Sequence, residues 1–193
     1  ILFDGIKLNE LPENQKRKLW GTRIAYVAQS AAAAFNPAHK LINQTIESAV
    51  RSKIKNEEQA VKDANRLYKE LQLPEPETIG YRYPHQVSGG QLQRVMTAMA
   101  MSATPDLIIF DEPTTALDVT TQVEVLASMR DIVEQYNTAA IYITHDLSVV
   151  AQMADIIKVL RYGEEIEQSE TADMLSKPKK NYTKSLWSVR SIE

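Results

Sequence analysis

The order of apolar and polar residues predicts an α/β protein in which short strands alternate with amphipathic helices. Residues 107–110 and 139–143 are short, continuous apolar runs, the pattern of strands that are buried on both faces of a parallel sheet. A β-rich run over residues 23–28 predicts a third strand.

Two short hairpins flank this pattern. Residues 1–8 alternate around Asp4-Gly5, a dipeptide that favours tight hairpin turns. Residues 156–160 and 164–168 predict two further strands, joined through Tyr162-Gly163. The remaining residues, 171–193, are predicted to form two short helices.

Helical spacing dominates the rest of the chain. Between residues 38 and 73, apolar residues recur on one face at 3.6-residue spacing, and Asn56 is placed as the N-cap of a helix. A long helix is predicted after Asp118. Its inner stripe is expected to hold Val119, Val123, Leu126, Met129, Ile132, Val133 and Tyr136.

Composition narrows the class of protein. The 193 residues are 44% hydrophobic and 24% charged, which is ordinary for a globular chain with a sizeable core. The net charge of −3 gives no broad basic surface, so we expect no nucleic-acid partner. The chain has no cysteine, which excludes disulfides and thiolate metal sites. No apolar run approaches the roughly 20 residues of a membrane span, so we expect a cytosolic protein that reaches a membrane only through a partner.

Two carboxylates follow the strand predicted over residues 107–110. Asp111 and Glu112 come directly after it, and Pro113 ends it. Ligands of open α/β sheets bind at the carboxyl ends of parallel strands. Acidic turns after core strands are also common, so the pair alone leaves a binding role and a plain turn both open.

A second stretch, Ser88-Gly89-Gly90-Gln91, precedes an apolar helical pattern. Ser88 and Gln91 have the spacing of a capping box. The same helix start is suited to an anion, because its N–H groups and dipole point to one place and glycine lets a phosphate approach the backbone. Phosphoryl transfer needs charge neutralisation, a metal and a residue that orients water, and the two stretches together supply that combination.

Together, these stretches resemble the ATPase domain of ATP-binding cassette (ABC) proteins. Residues 87–91 are similar to the signature motif, which usually has Leu in place of Val87, and residues 107–112 are similar to the Walker B strand with its catalytic glutamate. Residues 115–118 resemble the D-loop. The resemblance implies a P-loop NTPase-like α/β fold with a mostly parallel core sheet flanked by helices, a small antiparallel sheet and an inserted helical subdomain.

The resemblance also implies roles for single residues. Glu112 would be the general base that polarises the attacking water, and His145 would contact the γ-phosphate. Asp111 and Gln29 would hold Mg²⁺ beside ATP, and Asp118 would connect two sites across a dimer. The γ-phosphate of the ATP bound to the opposite domain would be clamped by Ser88, Gly89, Gly90 and Gln91.

The resemblance implies one ABC ATPase domain over residues 1–193. Residues 1–35 and 104–193 would form the catalytic core, and residues 36–103 the helical signature subdomain. The surface of that subdomain would receive a coupling helix from a transmembrane permease subunit. A second ABC ATPase domain, identical or different, would complete two ATP sites head to tail.

Residues 81–86 and 181–186 resemble ABC importers of the peptide, oligopeptide and nickel class. Such a subunit lies peripherally on the cytoplasmic face of the inner membrane, beside permease subunits, and serves an extracytoplasmic substrate-binding protein indirectly. The alternatives are a soluble ABC ATPase of DNA repair or translation, and a catalytically inactive cassette. The compact segment between Gln29 and Ser88 argues against the coiled-coil repair type. The presence of Glu112, His145 and Gln91 argues against an inactive cassette.

The P-loop pattern Gly-x-x-x-x-Gly-Lys-Ser/Thr does not occur in these residues. The resemblance places that motif and its strand before Ile1, so we expect an N-terminally truncated cassette. The missing strand is expected to neighbour the strand over residues 107–110, leaving an exposed apolar edge that invites aggregation. Alone, the chain is expected to bind ATP poorly and to hydrolyse it negligibly.

Overall fold

The computed structural model describes residues 1–188 and leaves residues 189–193, the end of the predicted C-terminal helix, outside. The chain forms two compact units, Ile1–Ile143 and Thr144–Glu193. The first unit contains the parallel sheet, and the second contains an antiparallel pair of strands.

A three-stranded parallel sheet forms the centre of the first unit. Its strands are β3 (Ile24–Val27), β4 (Leu107–Asp111) and β5 (Ala139–Ile143), which confirms the three predicted strands. The order is β3-β4-β5. The expectation that β4 neighbours a missing strand is wrong, because β4 is paired on one side with β3 and on the other with β5.

Helices pack against this sheet and share its core. They are α2 (Ala31–Ala34), α3 (Leu41–Arg51), α4 (Glu57–Glu70), α5 (Gly89–Met101) and α6 (Val119–Gln135). A further helix, α1 (Glu13–Leu19), has no buried residue and adds none to this core. One hydrophobic core joins Val27 and Phe110 of the sheet to Leu67 of α4, Met96 of α5 and Met129 of α6. The segment over residues 36–103 is therefore packed into the same core as the strands.

The helices predicted between residues 38 and 73 are confirmed as α3 and α4. Asn56 caps α4 by accepting a hydrogen bond from the Gln59 N–H at 2.8 Å. Short 3₁₀ turns lie at Leu8–Glu10, Ile79–Tyr81 and Pro84–Gln86. The apolar face that helical spacing predicts for α3 consists of Leu41, Ile42, Thr45, Ile46, Ala49 and Val50. It is confirmed as the inner face, since the first five are buried and Val50 is partly buried.

The inner face of α6 differs from the predicted one. Val119 and Val123 are 79% and 52% exposed, whereas the buried residues are Val125, Leu126, Ser128, Met129 and Ile132. α6 meets α5 where Gly90 approaches Thr121 and Val125. The packed stripe therefore continues from Val125 back to Thr121, and the predicted stripe was wrong in its first two turns.

β5 is a strand, as predicted, but it is not a buried one. Ile141 and Ile143 are 47% and 49% exposed, and among residues 1–188 β5 pairs only with β4. Tyr26 of β3 lies in register with Ile109 and Ile141 and is 56% exposed. Apolar surface is exposed, as expected, but it lies on β5 and on one face of the sheet instead of beside β4.

The N-terminal hairpin is confirmed. β1 (Leu2–Phe3) and β2 (Ile6–Lys7) pair antiparallel. Asp4 and Gly5 form the turn with φ values of 49° and 75°, the left-handed backbone that a tight hairpin turn requires.

The second unit is built on the other predicted hairpin. β6 (Ile156–Arg161) and β7 (Glu164–Glu170) pair antiparallel, and Ile157, Val159 and Met174 form a small core. Its helices are α7 (Leu147–Met153), α8 (Thr171–Ser176) and α9 (Asn181–Ser188). Within residues 1–188, no helix combines the length and the apolar character that crossing a bilayer requires.

Candidate functional site

The carboxyl end of β4 carries a strained bend. Glu112 has a φ of 45°, in the left-handed region that is uncommon for residues other than glycine. Its N–H donates to the carbonyl oxygen of Ile143 at 2.8 Å, so the bend is held against the end of β5. Such a conformation costs about 1–3 kcal/mol and is concentrated in functional sites.

Glu112 lies beside the predicted Gln29. The Gln29 Nε2 donates to Glu112 Oε2 at 3.2 Å, and the Thr115 hydroxyl donates to the same oxygen at 3.1 Å. Gln29 follows β3 by two residues, and parallel strands bring their carboxyl ends to one edge of the sheet. Two donors from separate segments therefore orient one carboxylate.

Asp111 has a different partner, which the sequence did not reveal. The Tyr26 hydroxyl donates to Asp111 Oδ2 at 2.6 Å. This hydrogen bond to a carboxylate raises the pKa of the Tyr26 hydroxyl. The period of two shows which residues share a face within one strand. Only the register of β3 on β4 shows that Tyr26 and Asp111 lie on the same face.

The donor atoms at this edge suit a hard cation that is shared with phosphate. Asp111 offers a carboxylate and Gln29 an amide oxygen, and Mg²⁺ typically binds one or two carboxylates together with substrate phosphates and water. Within residues 1–188 no group of three or more His, Cys, Asp and Glu side chains could hold a metal ion. The described residues therefore fit a cation that arrives with a nucleotide better than a cage made of protein ligands.

The start of α5 has the predicted capping box. The Ser88 Oγ accepts from the Gln91 N–H at 3.3 Å, and the Gln91 Oε1 accepts from the Ser88 N–H at 3.0 Å. Ser88 and Gly89 are exposed, whereas Gly90 is buried. A Cβ atom on Gly90 would lie 2.5 Å from the Thr121 Cγ2, so the missing side chain allows α5 to pack against α6.

Asp118 caps α6. Its Oδ2 accepts from the Thr121 hydroxyl at 2.7 Å and its Oδ1 from the Thr121 N–H at 3.0 Å. These bonds, the one from the Thr121 hydroxyl most of all, lower the pKa of the Asp118 carboxyl. Thr121 therefore contacts both Asp118, through its hydroxyl, and the space beside Gly90, through its methyl group.

His145 belongs to the second unit. It follows Ile143, the last residue of β5, by two positions and is exposed. In the same turn, the Asp146 N–H donates to the Thr144 hydroxyl at 3.0 Å. The grouping of His145 with Glu112 stays a prediction.

Known proteins are similar to this chain over most of its length. A family profile described as ABC transporter matches residues 1–115. A probable peptide ABC transporter ATP-binding protein of Sinorhizobium fredii is 37% identical over 187 residues, which cover 96% of this chain and 56% of that protein. The metal-staphylopine import system ATP-binding protein CntD of Staphylococcus aureus is 38% identical over 190 residues, covering 98% of this chain and 70% of that protein.

A glutathione import ATP-binding protein, GsiA of Escherichia coli O157:H7, is 38% identical over 183 residues, covering 95% of this chain and 29% of that protein. The chain thus spans between 29% and 70% of the length of these relatives. Each alignment covers nearly all of this chain, so the likeness is not confined to the motifs.

A solved structure shares the fold. It is the dimeric structure of the ATP-binding cassette MJ0796 in a post-hydrolysis state bound to ADP and Pi, with a TM-score of 0.74 and 27% identity. The match covers 88% of this chain and 72% of that one, so the α/β architecture is that of an ABC ATPase cassette. Both the profile, which matches more than half of the chain, and the similarity to CntD lead to one assignment: the chain belongs to the ABC transporter family.

Proposed function

We propose that this chain is part of the ATP-binding and ATP-hydrolysing subunit of an ABC importer. The observation that carries the proposal is the contact between Gln29 and Glu112 beside Asp111, at the carboxyl end of a parallel sheet. Two carboxylates and an amide at this edge provide the groups that phosphoryl transfer to water needs.

Glu112 would act as the general base. Gln29 and Thr115 orient its carboxylate through Oε2, and a general base must be held within hydrogen-bonding reach of the water that it deprotonates. Asp111, with Gln29 nearby, would hold Mg²⁺, which neutralises charge on the phosphates of ATP when bound. His145 would contact the γ-phosphate.

A second cassette would complete the site. Ser88 and Gly89 are exposed at the tip of α5, where a helix start favours phosphate. Together with Gly90 and Gln91, they would bind the ATP held by the opposite cassette, and Asp118 would join the two sites. The dimeric form of the solved cassette MJ0796 supports this arrangement.

The remaining partners follow from the importer assignment. Transmembrane permease subunits would contact the helical subdomain, residues 36–103, while residues 1–35 and 104–193 would belong to the catalytic core. The protein would lie peripherally on the cytoplasmic face of the inner membrane and serve an extracytoplasmic binding protein indirectly. The relatives are named as ATP-binding proteins of a peptide ABC transporter, of glutathione import and of a metal-staphylopine import system, which supports an importer; we propose peptides, oligopeptides or nickel as its cargo class.

Glu112→Gln in the full-length protein tests the proposal. Since general-base catalysis contributes about 10²–10⁴-fold, turnover should fall at least about 100-fold, while ATP affinity, measured by equilibrium dialysis, should stay unchanged. Glu134→Gln is the matched control, because Glu134 is an exposed acid on α6 paired with Arg130. Turnover that survives in Glu112→Gln would show that Glu112 is not the base, and an unmutated protein without turnover would favour an inactive cassette.

A further inference from the structure

Tyr26 and Asp111 lie on the same face of neighbouring strands. Tyr26 is paired with Ile109 across β3 and β4, and Asp111 follows Ile109 by two residues, which returns it to that face. The Tyr26 hydroxyl reaches Asp111 Oδ2 at 2.6 Å. The strand register itself thus brings this hydroxyl to the carboxyl end of the sheet.

The Tyr26 hydroxyl bonds Asp111 and not the next residue, Glu112. Glu112 is held by Gln29 and Thr115, whereas Asp111 is held by Tyr26. A 2.6 Å bond from a hydroxyl to a carboxylate has the length of a charge-assisted hydrogen bond, which is roughly twice as strong as a neutral one. Each acid therefore has its own orienting group.

The Tyr26 side chain is poorly explained by core packing. The residue is 56% exposed, while its neighbours Ala25 and Val27 are 3% and 0% exposed. Phenylalanine or methionine would serve as well on an exposed apolar face, so the hydroxyl is the feature that needs a reason. Its bond to Asp111 Oδ2 fixes one oxygen of the carboxylate and thereby sets the direction of the other.

We propose that Tyr26 is a positioning residue that orients Asp111 to bind the divalent cation accompanying ATP. Partners that hydrogen-bond a ligating carboxylate commonly set metal affinity, and their loss typically costs 10–100-fold. The inference rests on the proposed function, because it takes Asp111 to be the cation ligand. Tyr26 itself touches neither the cation nor the reacting atoms.

Tyr26→Phe in the full-length protein removes the hydroxyl and keeps the ring. Mn²⁺ serves as the probe, and its binding to the protein with a non-hydrolysable ATP analogue is measured by electron paramagnetic resonance. We expect about tenfold weaker Mn²⁺ binding, at the lower end for loss of such a partner, and unchanged affinity for the analogue in EDTA. In ATP hydrolysis, half-maximal activity should need more Mg²⁺, while turnover at saturating Mg²⁺ should be recovered.

Tyr142→Phe is the matched control. Tyr142 lies on β5 of the same sheet, stacks on Phe110 at 4.6 Å and has a buried hydroxyl that finds no hydrogen-bond partner in the described part of the chain. Its substitution should leave Mn²⁺ affinity unchanged. Equal Mn²⁺ affinity in the unmutated protein and Tyr26→Phe would overturn the inference, and so would equal weakening in both tyrosine variants.

A double-mutant cycle with Asp111→Asn separates positioning from any general effect on folding. If Tyr26 acts through Asp111, Tyr26→Phe should weaken Mn²⁺ binding in the unmutated background and have no further effect in the Asp111→Asn background. The same loss in both backgrounds would overturn the inference. An unmutated protein that binds the analogue and Mn²⁺ but does not hydrolyse ATP would contradict the proposed function alone.

Discussion

Gly90→Ala should destabilise the protein, although alanine is the better helix former. Gly90 lies in the first turn of α5 and is buried. An ideal Cβ at this position would lie 2.5 Å from Thr121 Cγ2 and 3.8 Å from Val125 Cγ2. The first distance is too short for two carbon atoms, so either Thr121 or one of the two helices must move.

Thr121 cannot move at low cost. Its hydroxyl donates to Asp118 Oδ2 at 2.7 Å, and a β-branched side chain in a helix has few χ1 rotamers. Forcing an extra methyl group into a packed interface costs about 1–3 kcal/mol, whereas the helix propensity of alanine returns at most about 1 kcal/mol. We therefore expect a net loss of up to about 2 kcal/mol in the free energy of unfolding.

Urea unfolding followed by circular dichroism measures this loss in the unmutated protein, Gly90→Ala, Thr121→Ser and the double variant. Serine keeps the hydroxyl that bonds Asp118 and removes the Cγ2 atom. In the Thr121→Ser background, Gly90→Ala should be neutral or stabilising, which gives a coupling energy of at least about 1 kcal/mol.

Gly89→Ala is the matched control. A Cβ at Gly89 would meet only Leu117 Cδ2, at 3.5 Å, an ordinary contact. Its stability should stay within about 0.5 kcal/mol of the unmutated protein, or rise. A clash between the added methyl group and Thr121 would be refuted by a Gly90→Ala variant as stable as Gly89→Ala. It would also be refuted if Thr121→Ser did not recover the stability that Gly90→Ala loses.

Two further predictions concern carboxylates. Because Glu112 has a left-handed backbone, Glu112→Gly should be more stable than Glu112→Ala by about 1 kcal/mol in urea unfolding, and equal stabilities would contradict that bend. Hydrogen bonds to the Glu167 carboxylate, above all the one from the Lys179 N–H, lower the pKa of Glu167 below its ordinary value of 4.5. A lowered folded-state pKa gives a stabilisation that is complete above the ordinary value and is lost as the pH falls through the folded value. The difference in thermal midpoint between the unmutated protein and Glu167→Gln should therefore shrink as the pH falls below 4.5, and a constant difference would contradict the role of these bonds.

The features that sequence predicted correctly are those fixed by neighbouring residues. The Asp4-Gly5 turn, the Asn56 cap and the box between Ser88 and Gln91 each depend on groups within a few positions of one another. The family resemblance implied that Gln29 and Glu112 belong to one site, and the structure places them in contact at 3.2 Å. Local chemistry and a family pattern were sufficient for both.

The predictions that were wrong concern which face of a helix or strand is buried. That face depends on elements that are distant in the sequence. Val119 and Val123 fit an apolar stripe on α6 but are exposed. Gly90 of α5 packs against Thr121 and Val125 instead, so the buried face of α6 is the one that carries these two residues. The apolar run of β5 predicted burial on both sides, but the residues that the structure describes leave Ile141 47% exposed. Tyr26 was missed because its partner Asp111 lies 85 positions away, and only the register of β3 on β4 joins them.

The loop from Glu112 to Asp118 connects the proposed general base to the start of α5, two motifs that we assign to different ATP sites. At one end the left-handed bend, the bond to Ile143 and the Thr115 hydroxyl fix Glu112. At the other end Asp118 is bonded to Thr121, whose methyl group fills the space beside Gly90. A shift of the α5 tip must therefore move Thr121, Asp118 and a loop of a few residues that ends at the proposed base. We accordingly expect Gly90→Ala to lower ATP turnover as well as stability, and Thr121→Ser to restore both together. Restored stability without restored turnover would show that Gly90 serves the nucleotide directly.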